Sequence, residues 1–226
     1  MPTIVFASPK GGAGKTTAAL LLGLQLSKLY PVTIIDADPN HPISRWASGG
    51  NKPETLTVDS ASDEDNILDR IEEAAATTPF VIVDLEGTAS KIVLLAVSQA
   101  DLVLIPTQGS ELDASEASRA IRVVRQHEKM ARRELPFAVL LTRTNPRIRS
   151  RNLRHIQTSL IDIGIPLMES ELNEREAFKS VFAYRQTLEG LDPIEVANLT
   201  KAGQNVEDFV SEILCKLAGL PSEAAE

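Results

Sequence analysis

The sequence predicts an α/β fold, a doubly wound, mainly parallel sheet with helices on both faces. Three observations carry this: short apolar runs of strand length recur along the chain, helical patterns separate them, and the runs are apolar throughout, as strands buried on both faces are. The first strand is Thr3 to Ser8. The first helix is expected from Lys15 to Leu29, with Leu20 and Leu24 on its apolar face and Pro31 stopping it. Val32 to Asp36 and Thr55 to Val58 read as the next strands, followed by Phe80 to Leu85, Leu102 to Thr107 and Phe137 to Thr142. Helices are expected over Glu64 to Thr77, Ser90 to Ser98, Leu112 to Arg133, Arg149 to Ile163 and Arg175 to Thr187, most of them crossovers between parallel strands. A last helix carries Val206, Phe209, Val210, Ile213, Leu214 and Leu217 at helical spacing. Its other face offers Glu207, Asp208 and Glu212 against Lys216 alone, which an anionic lipid surface would repel, so packing against the body is expected.

The chain has 226 residues, of which 43% are hydrophobic, 24% charged and 4% aromatic, enough to bury a sizeable core and unlike a disordered segment. With no internal repeat and no Gly/Ser linker, one domain over residues 1–220 is expected, with a frayed tail at 221–226. The single cysteine, Cys215, excludes a disulfide framework, a four-cysteine zinc site and a cysteine-ligated iron–sulfur cluster within one chain. His41, His127 and His155 show no ligand spacing. The longest apolar runs, such as Ile92 to Val97, are too short to span a bilayer, and Met1 opens into strand-like sequence, so a cytoplasmic location is expected.

The net charge of -8 divides unevenly. Arg119 to Arg154 contains eleven basic residues and two acids, Glu128 and Glu134, for a net of +9; the other 190 residues carry 12 basic and 29 acidic side chains, or -17. Arg119, Arg122 and Arg125 recur at a spacing of three on one helix, continued by Lys129, Arg132 and Arg133, and Arg143, Arg147, Arg149, Arg151 and Arg154 follow around the next strand end. Such a basic segment on an acidic body favours phosphate-backbone binding over a merely solvated face, and Arg122, Arg125, Arg147, Arg149, Arg151 and Arg154 are the candidate contacts to double-stranded DNA of any sequence.

Lys10-Gly11-Gly12-Ala13-Gly14-Lys15-Thr16-Thr17 follows the first strand and opens the first helix. Glycines let the backbone curl so that successive N–H groups converge on phosphate oxygens, and the helix N-terminus adds its positive dipole end. Gly11 to Thr17 are therefore the candidate nucleotide-binding residues, with the Lys15 ammonium at the β and γ phosphates and the Thr16 hydroxyl on magnesium. Asp36 and Asp38 close the second strand and Asp84 lies near the end of the fourth, at the sheet edge where open parallel sheets bind ligands. Asp36 and Asp84 are candidate magnesium-supporting carboxylates. Asn145, after Leu141 to Thr144, is a candidate contact to the base. Asn51-Lys52-Pro53-Glu54 looks like the guanine-reading Asn-Lys-x-Asp, but it ends in Glu and precedes the third strand, so a turn is expected there.

Lys10 before the glycines, Asp36-Ala37-Asp38-Pro39 and Asp84 together resemble the ParA/MinD group of deviant Walker ATPases, a branch of the P-loop NTPase fold. Asp101 to Thr107, Leu141-Thr142-Arg143, Ile165-Pro166 and Arg175-Glu176-Ala177-Phe178 are similar to later segments of that group, so the resemblance covers most of the chain. It implies ATP and Mg2+ as cofactors and an ATP-sandwich homodimer. Lys10 would cross to the partner's nucleotide, and Asp38 would orient the attacking water, so Lys10, Lys15 and Asp38 form the implied catalytic set. Asn40 and Asp84-Leu85-Glu86-Gly87 depart from the group's usual residues, and the Gly87 N–H offers an alternative γ-phosphate sensor.

The implied activity is ATP hydrolysis in DNA partition or DNA transfer, with an adaptor of ParB type, association with the nucleoid, and no membrane partner. Pro42-Ile43-Ser44-Arg45-Trp46 is similar to small plasmid ParA proteins and to the virulence-type relatives, with plain core packing as the alternative role of Trp46. Protein-cargo positioning on the nucleoid and a MinD-like membrane ATPase are the alternatives within the group. A P-loop ligase would give Lys10 and the basic segment no purpose.

Overall fold

A computed structural model describes residues 1–8, 11–86, 91–108, 111–146 and 151–220, with side chains left out at 111–117 and 151–152. Seven strands are present: β1 Thr3–Phe6, β2 Val32–Ala37, β3 Leu56–Asp59, β4 Phe80–Leu85, β5 Leu102–Thr107, β6 Phe137–Thr144 and β7 Leu172–Asn173. Between and after them run α1 Lys15–Leu26, α2 Pro42–Ala47, α3 Ile67–Thr77, α4 Lys91–Ser98, α5 Glu111–Ala131, α6 Arg151–Asp162, α7 Glu176–Ala183 and α8 Leu199–Ala218. The strands form one sheet in the order β3-β2-β4-β1-β5-β6-β7, and every pairing is parallel. From β1 the chain steps past β4 to β2, whereas β4 is followed by β5 on the other side of β1. The crevice at the C-terminal end of β1 is therefore where the winding direction changes, the usual ligand edge of such sheets.

Side chains alternate across each strand, so both parities must be apolar when both faces are covered. Ile4, Phe6, Ile34, Ile82, Leu104 and Leu140 pack under α1, α2, α7 and α8. Val5, Ile35, Val81, Val83, Val103 and Ile105 pack under α3, α4, α5 and α6 through Ile71, Val97, Val124 and Ile156.

Several boundaries differ from expectation for local reasons. α1 ends at Leu26 rather than Leu29, where the Ser27 hydroxyl donates to the Leu24 carbonyl at 2.8 Å and closes the last turn before Pro31 is reached. α7 is shorter at both ends than the periodicity suggests, and α6 ends one residue early, at Asp162. α2 and β7 have no counterpart among the expected elements, because six and two residues are too short to display a period. The Lys52-Pro53 segment is a turn, as expected: the Leu56 N–H donates to the Pro53 carbonyl at 3.1 Å and the Lys52 ammonium to the Leu56 carbonyl.

α8 lays Val206, Phe209, Val210 and Ile213 into the core beside α1. Glu212 does not share the outer face with Glu207 and Asp208; it is 4% exposed. Its carboxylate accepts the Glu169 and Ser170 N–H groups at 3.0 and 2.8 Å and the Ser170 hydroxyl at 2.7 Å, with the Lys216 ammonium 3.3 Å away. A buried carboxylate is tolerated when its lone pairs are satisfied in this way. Among the described residues, no helix is long and apolar enough to cross a membrane.

Candidate functional site

The loop after β1 owes its shape to two left-handed glycines, Gly12 at φ 80° and Gly14 at φ 90°. Gly14 is doubly constrained, since a Cβ there would also meet the Thr142 side chain at 3.3 Å. Side chains from the neighbouring strand ends then orient the loop. Gln108 Nε2 donates to the Gly12 carbonyl at 2.8 Å, and the Thr142 hydroxyl donates to the Ala13 carbonyl at 2.8 Å. Across a trans peptide the N–H points opposite to the C=O. Tying those two carbonyls toward β5 and β6 thus turns the Ala13 and Gly14 amides the other way, beside the first-turn amides of α1, which have no acceptor within the helix. Among the described residues a Cβ at Gly11 would meet nothing within 4 Å, so their packing does not require glycine there. Neither Gln108 nor Thr142 was among the candidate site residues, because a polar residue at a strand end carries no mark of what it will hold.

Lys15 opens α1 and is 6% exposed, with its Nζ donating to the Ser8 carbonyl at 3.3 Å. Burial lowers its pKa, and the nearby charges of Asp84, Asp38 and Glu86 oppose that shift. Register explains the company it keeps: Asp84 sits opposite Asp36 in the β2–β4 pair and opposite Phe6 in the β1–β4 pair. Both aspartates are fully buried. Burial pushes the Asp84 carboxyl up to about 7. The Thr16 hydroxyl is the largest opposing influence but falls short of hydrogen-bond geometry, so both Asp84 oxygens lack a partner. Burial likewise raises Asp36, opposed by the Ser44 N–H, which donates to its Oδ2 at 2.8 Å; its Oδ1 has no partner. Asp38, half-buried just beyond β2, accepts from the Asn40 N–H at 2.8 Å and from Asn40 Nδ2 at 3.1 Å.

Three orphaned carboxylate oxygens beside a lysine and the Thr16 hydroxyl fit a hydrated divalent cation. Among the described residues no three His, Cys, Asp or Glu side chains gather to hold a metal by themselves. Magnesium suits such a place, because it keeps several waters and takes few protein ligands alongside substrate phosphates.

Beside the loop, a cavity of about 310 Å³ opens between Gly14 and Thr17 on one wall and Leu172, Asn173, Phe178 and Phe182 on another. A polar network braces its rim: Asn173 Nδ2 donates to the Thr144 hydroxyl at 2.9 Å, Arg175 Nη2 to Asn173 Oδ1 at 3.1 Å, and the Asn173 N–H to Asn205 Oδ1 at 3.0 Å. Asn145 is exposed past the end of β6 and is not among the described residues lining this cavity. Arg175 and Phe178 of the Arg175-Glu176-Ala177-Phe178 string lie on the far wall.

Lys10, Gly87, Arg147 and Arg149 lie outside the described residues, as does the tail at 221–226, and Arg151 is described in backbone only. Arg122 and Arg125 are exposed on α5, and Arg154 is exposed on α6, neighbouring helices on one sheet face. Trp46 is 2% exposed, and its indole N–H donates to the Val181 and Gln186 carbonyls at 3.0 and 3.2 Å, so it packs in the core and ties α2 to the end of α7.

Residues 1–205 match the family described as VirC1 protein. The chain is 39% identical to Protein ParA of Rhizobium radiobacter over 96% of its own length and 98% of that protein. It is 26% identical to maintenance of carboxysome distribution protein A of Halothiobacillus neapolitanus, covering 94% of each. Its fold is that of the McdA–ATP complex of Cyanothece, with a TM-score of 0.73 at 18% identity over 98% of this chain and 97% of that one. A glycine loop that presents amides, a buried lysine and paired strand-end aspartates are thus found in a chain that belongs to the VirC1 family of ParA-type P-loop ATPases.

Proposed function

We propose that residues 1–220 form one ATPase domain that hydrolyses ATP to drive DNA partition or DNA transfer. The observation that carries the reading is the buried Lys15 at the end of the glycine loop, close enough to Asp84 for their charges to act on each other, with Asp84 paired in register with Asp36 and three oxygens of the two carboxylates unpartnered among the described residues. Gly11 to Thr17 bind the phosphates, with Lys15 at their centre. Thr16, Asp84 and Asp36 hold magnesium, partly through water; bound there, the ion neutralises charge that develops on the transferred phosphoryl group. Asp38 orients the attacking water, and its two contacts from Asn40 fix the carboxylate's direction without consuming both oxygens. Burial of Lys15 weakens its hydration, so a phosphate gains more from it than from an exposed ammonium. The cavity beside Thr17 offers room for the base.

ATP closes two copies into a sandwich, with Lys10 reaching the partner's nucleotide. The closed dimer holds double-stranded DNA of any sequence through Arg122, Arg125, Arg147, Arg149, Arg151 and Arg154, and hydrolysis, stimulated by an adaptor of ParB type, releases it. The likeness to a carboxysome distribution protein supports a second reading, positioning of a protein cargo over the nucleoid. ATP turnover and sedimentation of the Lys15→Ala and Lys10→Ala variants test the shared core of both readings. Lys15→Ala is expected to lose ATP binding, and Lys10→Ala to keep it but lose dimer and turnover. Normal turnover in either variant contradicts the assignment. Plasmid loss in cells lacking the protein separates partition from cargo positioning.

A further inference from the structure

The sheet edge opposite the glycine loop carries an open groove of about 690 Å³. It lies at the first residues of β5 and β6, where half-buried Phe137 and exposed Pro136 and Pro166, set over the buried Leu102 and Leu135, supply an apolar floor. Four cations surround it: Lys129, Arg132 and Arg133 from the end of α5, and Lys216 from the end of α8. We propose that this groove docks an acidic peptide segment carrying a large apolar side chain.

Charge complementarity argues for that occupant. Two acids also line the groove, but Glu128 is committed to the backbone, accepting the Leu135 N–H at 3.0 Å. Glu134 is the other, so cations outnumber acids by four to two. Arg133 Nη2 is pinned on the Ala100 carbonyl at 2.8 Å and Lys216 is shared with Glu212, whereas Lys129 and Arg132 stand exposed at the rim. Cations are favoured at any helix C-terminus. That preference accounts for Lys129 and Lys216 one helix at a time, but not for two helix ends meeting around one apolar floor. On a chain of net charge -8, an acidic segment is repelled by most of the surface and steered to this patch.

The floor decides between a peptide and DNA. The phosphates of a duplex are met by cations, so the rim alone would serve them and the apolar floor would contribute nothing. A leucine or phenylalanine side chain between acidic residues uses both the floor and the rim.

The test is fluorescence anisotropy on the full chain with a labelled peptide of glutamates around central leucines, an all-glutamate peptide of equal length and random-sequence duplex DNA. The leucine peptide is expected to bind about tenfold more tightly than the all-glutamate one, the ratio expected from burying one large apolar side chain. The double variant Lys129→Glu/Arg132→Glu, at exposed positions, is expected to melt like wild type and to bind that peptide about tenfold more weakly. Lys15→Ala is expected to bind it unchanged, which separates this groove from the nucleotide site. The proposal is overturned by a wild type that does not bind the leucine peptide, by equal binding of the two peptides, by full peptide affinity in the double variant, or by a double variant that loses duplex DNA instead.

Discussion

Gly11 and Gly14 are three positions apart, and the structure asks different things of them. Gly14 combines a left-handed backbone with close approach to Thr142, so Gly14→Ala is expected to destabilise the apo chain by about 1–3 kcal/mol. Gly11→Ala is expected to leave apo stability unchanged and weaken ATP binding, because its Cβ would occupy space open to a ligand. Equal melting temperatures for wild type and Gly14→Ala would contradict the loop geometry. Asp84 makes a prediction with a definite pH sign. Its folded pKa, about 7, lies above its unfolded value, so its favourable contribution is complete below the unfolded pKa and is lost as pH rises through about 7. Asp84→Asn removes the buried charge without removing the side chain. The variant is expected to match wild type near pH 4 and to exceed it above pH 7, by at most about 4 kcal/mol in the apo protein. Melting curves at the two pH values check this, and an advantage confined to acid pH would contradict it. These residue-scale features were partly legible: Lys15, Asp36 and Asp84 stood out by type and spacing, but their partnerless oxygens depend on the register of β2 against β4, which no local pattern specifies.

Five of the first six strands were readable because they are buried on both faces and so are apolar at both parities, whereas the edge strand β3, with Thr57 exposed, showed itself through Leu56 and Val58 on one face. Elements below the length of a period were not readable, and α2 is the consequential case. Its Ser44 N–H holds Asp36 Oδ2, while its Trp46 indole bridges to Val181 and Gln186 at α7, whose Phe178 and Phe182 line the cavity beside Thr17. One short helix therefore links the carboxylates to the cavity wall. Trp46→Phe keeps most of the apolar volume but removes the indole donor from the Gln186 carbonyl and from the Val181 carbonyl, which keeps the Gln186 N–H, and is expected to cost about 1–3 kcal/mol. Turnover should fall with it even where ATP binding persists, because Asp36 loses its fixed neighbour. A variant with lowered melting temperature and full turnover would show that α2 serves stability alone. Glu212 illustrates the opposite failure of legibility: helical spacing suggested an outer face, and only the turn at 169–170, brought near from another part of the chain, explains why a carboxylate is buried there.

At the scale of the whole molecule, the charge split and the fold point the same way. The basic stretch maps onto α5, β6 and α6, and Arg122, Arg125 and Arg154 are exposed on adjacent helices covering one sheet face. Replacing Arg147, Arg149, Arg151 and Arg154 with Ala is expected to weaken binding to unrelated duplexes by similar factors and to flatten the salt dependence by about 0.9 per lost phosphate contact. ATP hydrolysis without DNA should survive, because these arginines are not part of the Gly11 to Thr17 loop or of the carboxylate set. The central claim is that ATP, bound under that loop, licenses DNA binding by a dimer. It is tested most directly by measuring the affinity of the wild-type protein for random-sequence duplex DNA with ATP, with ADP and without nucleotide, beside Lys15→Ala. Tight binding only with ATP, absent in Lys15→Ala, is the predicted result; DNA affinity that is negligible with ATP, or equal in all three states and in the variant, would contradict it.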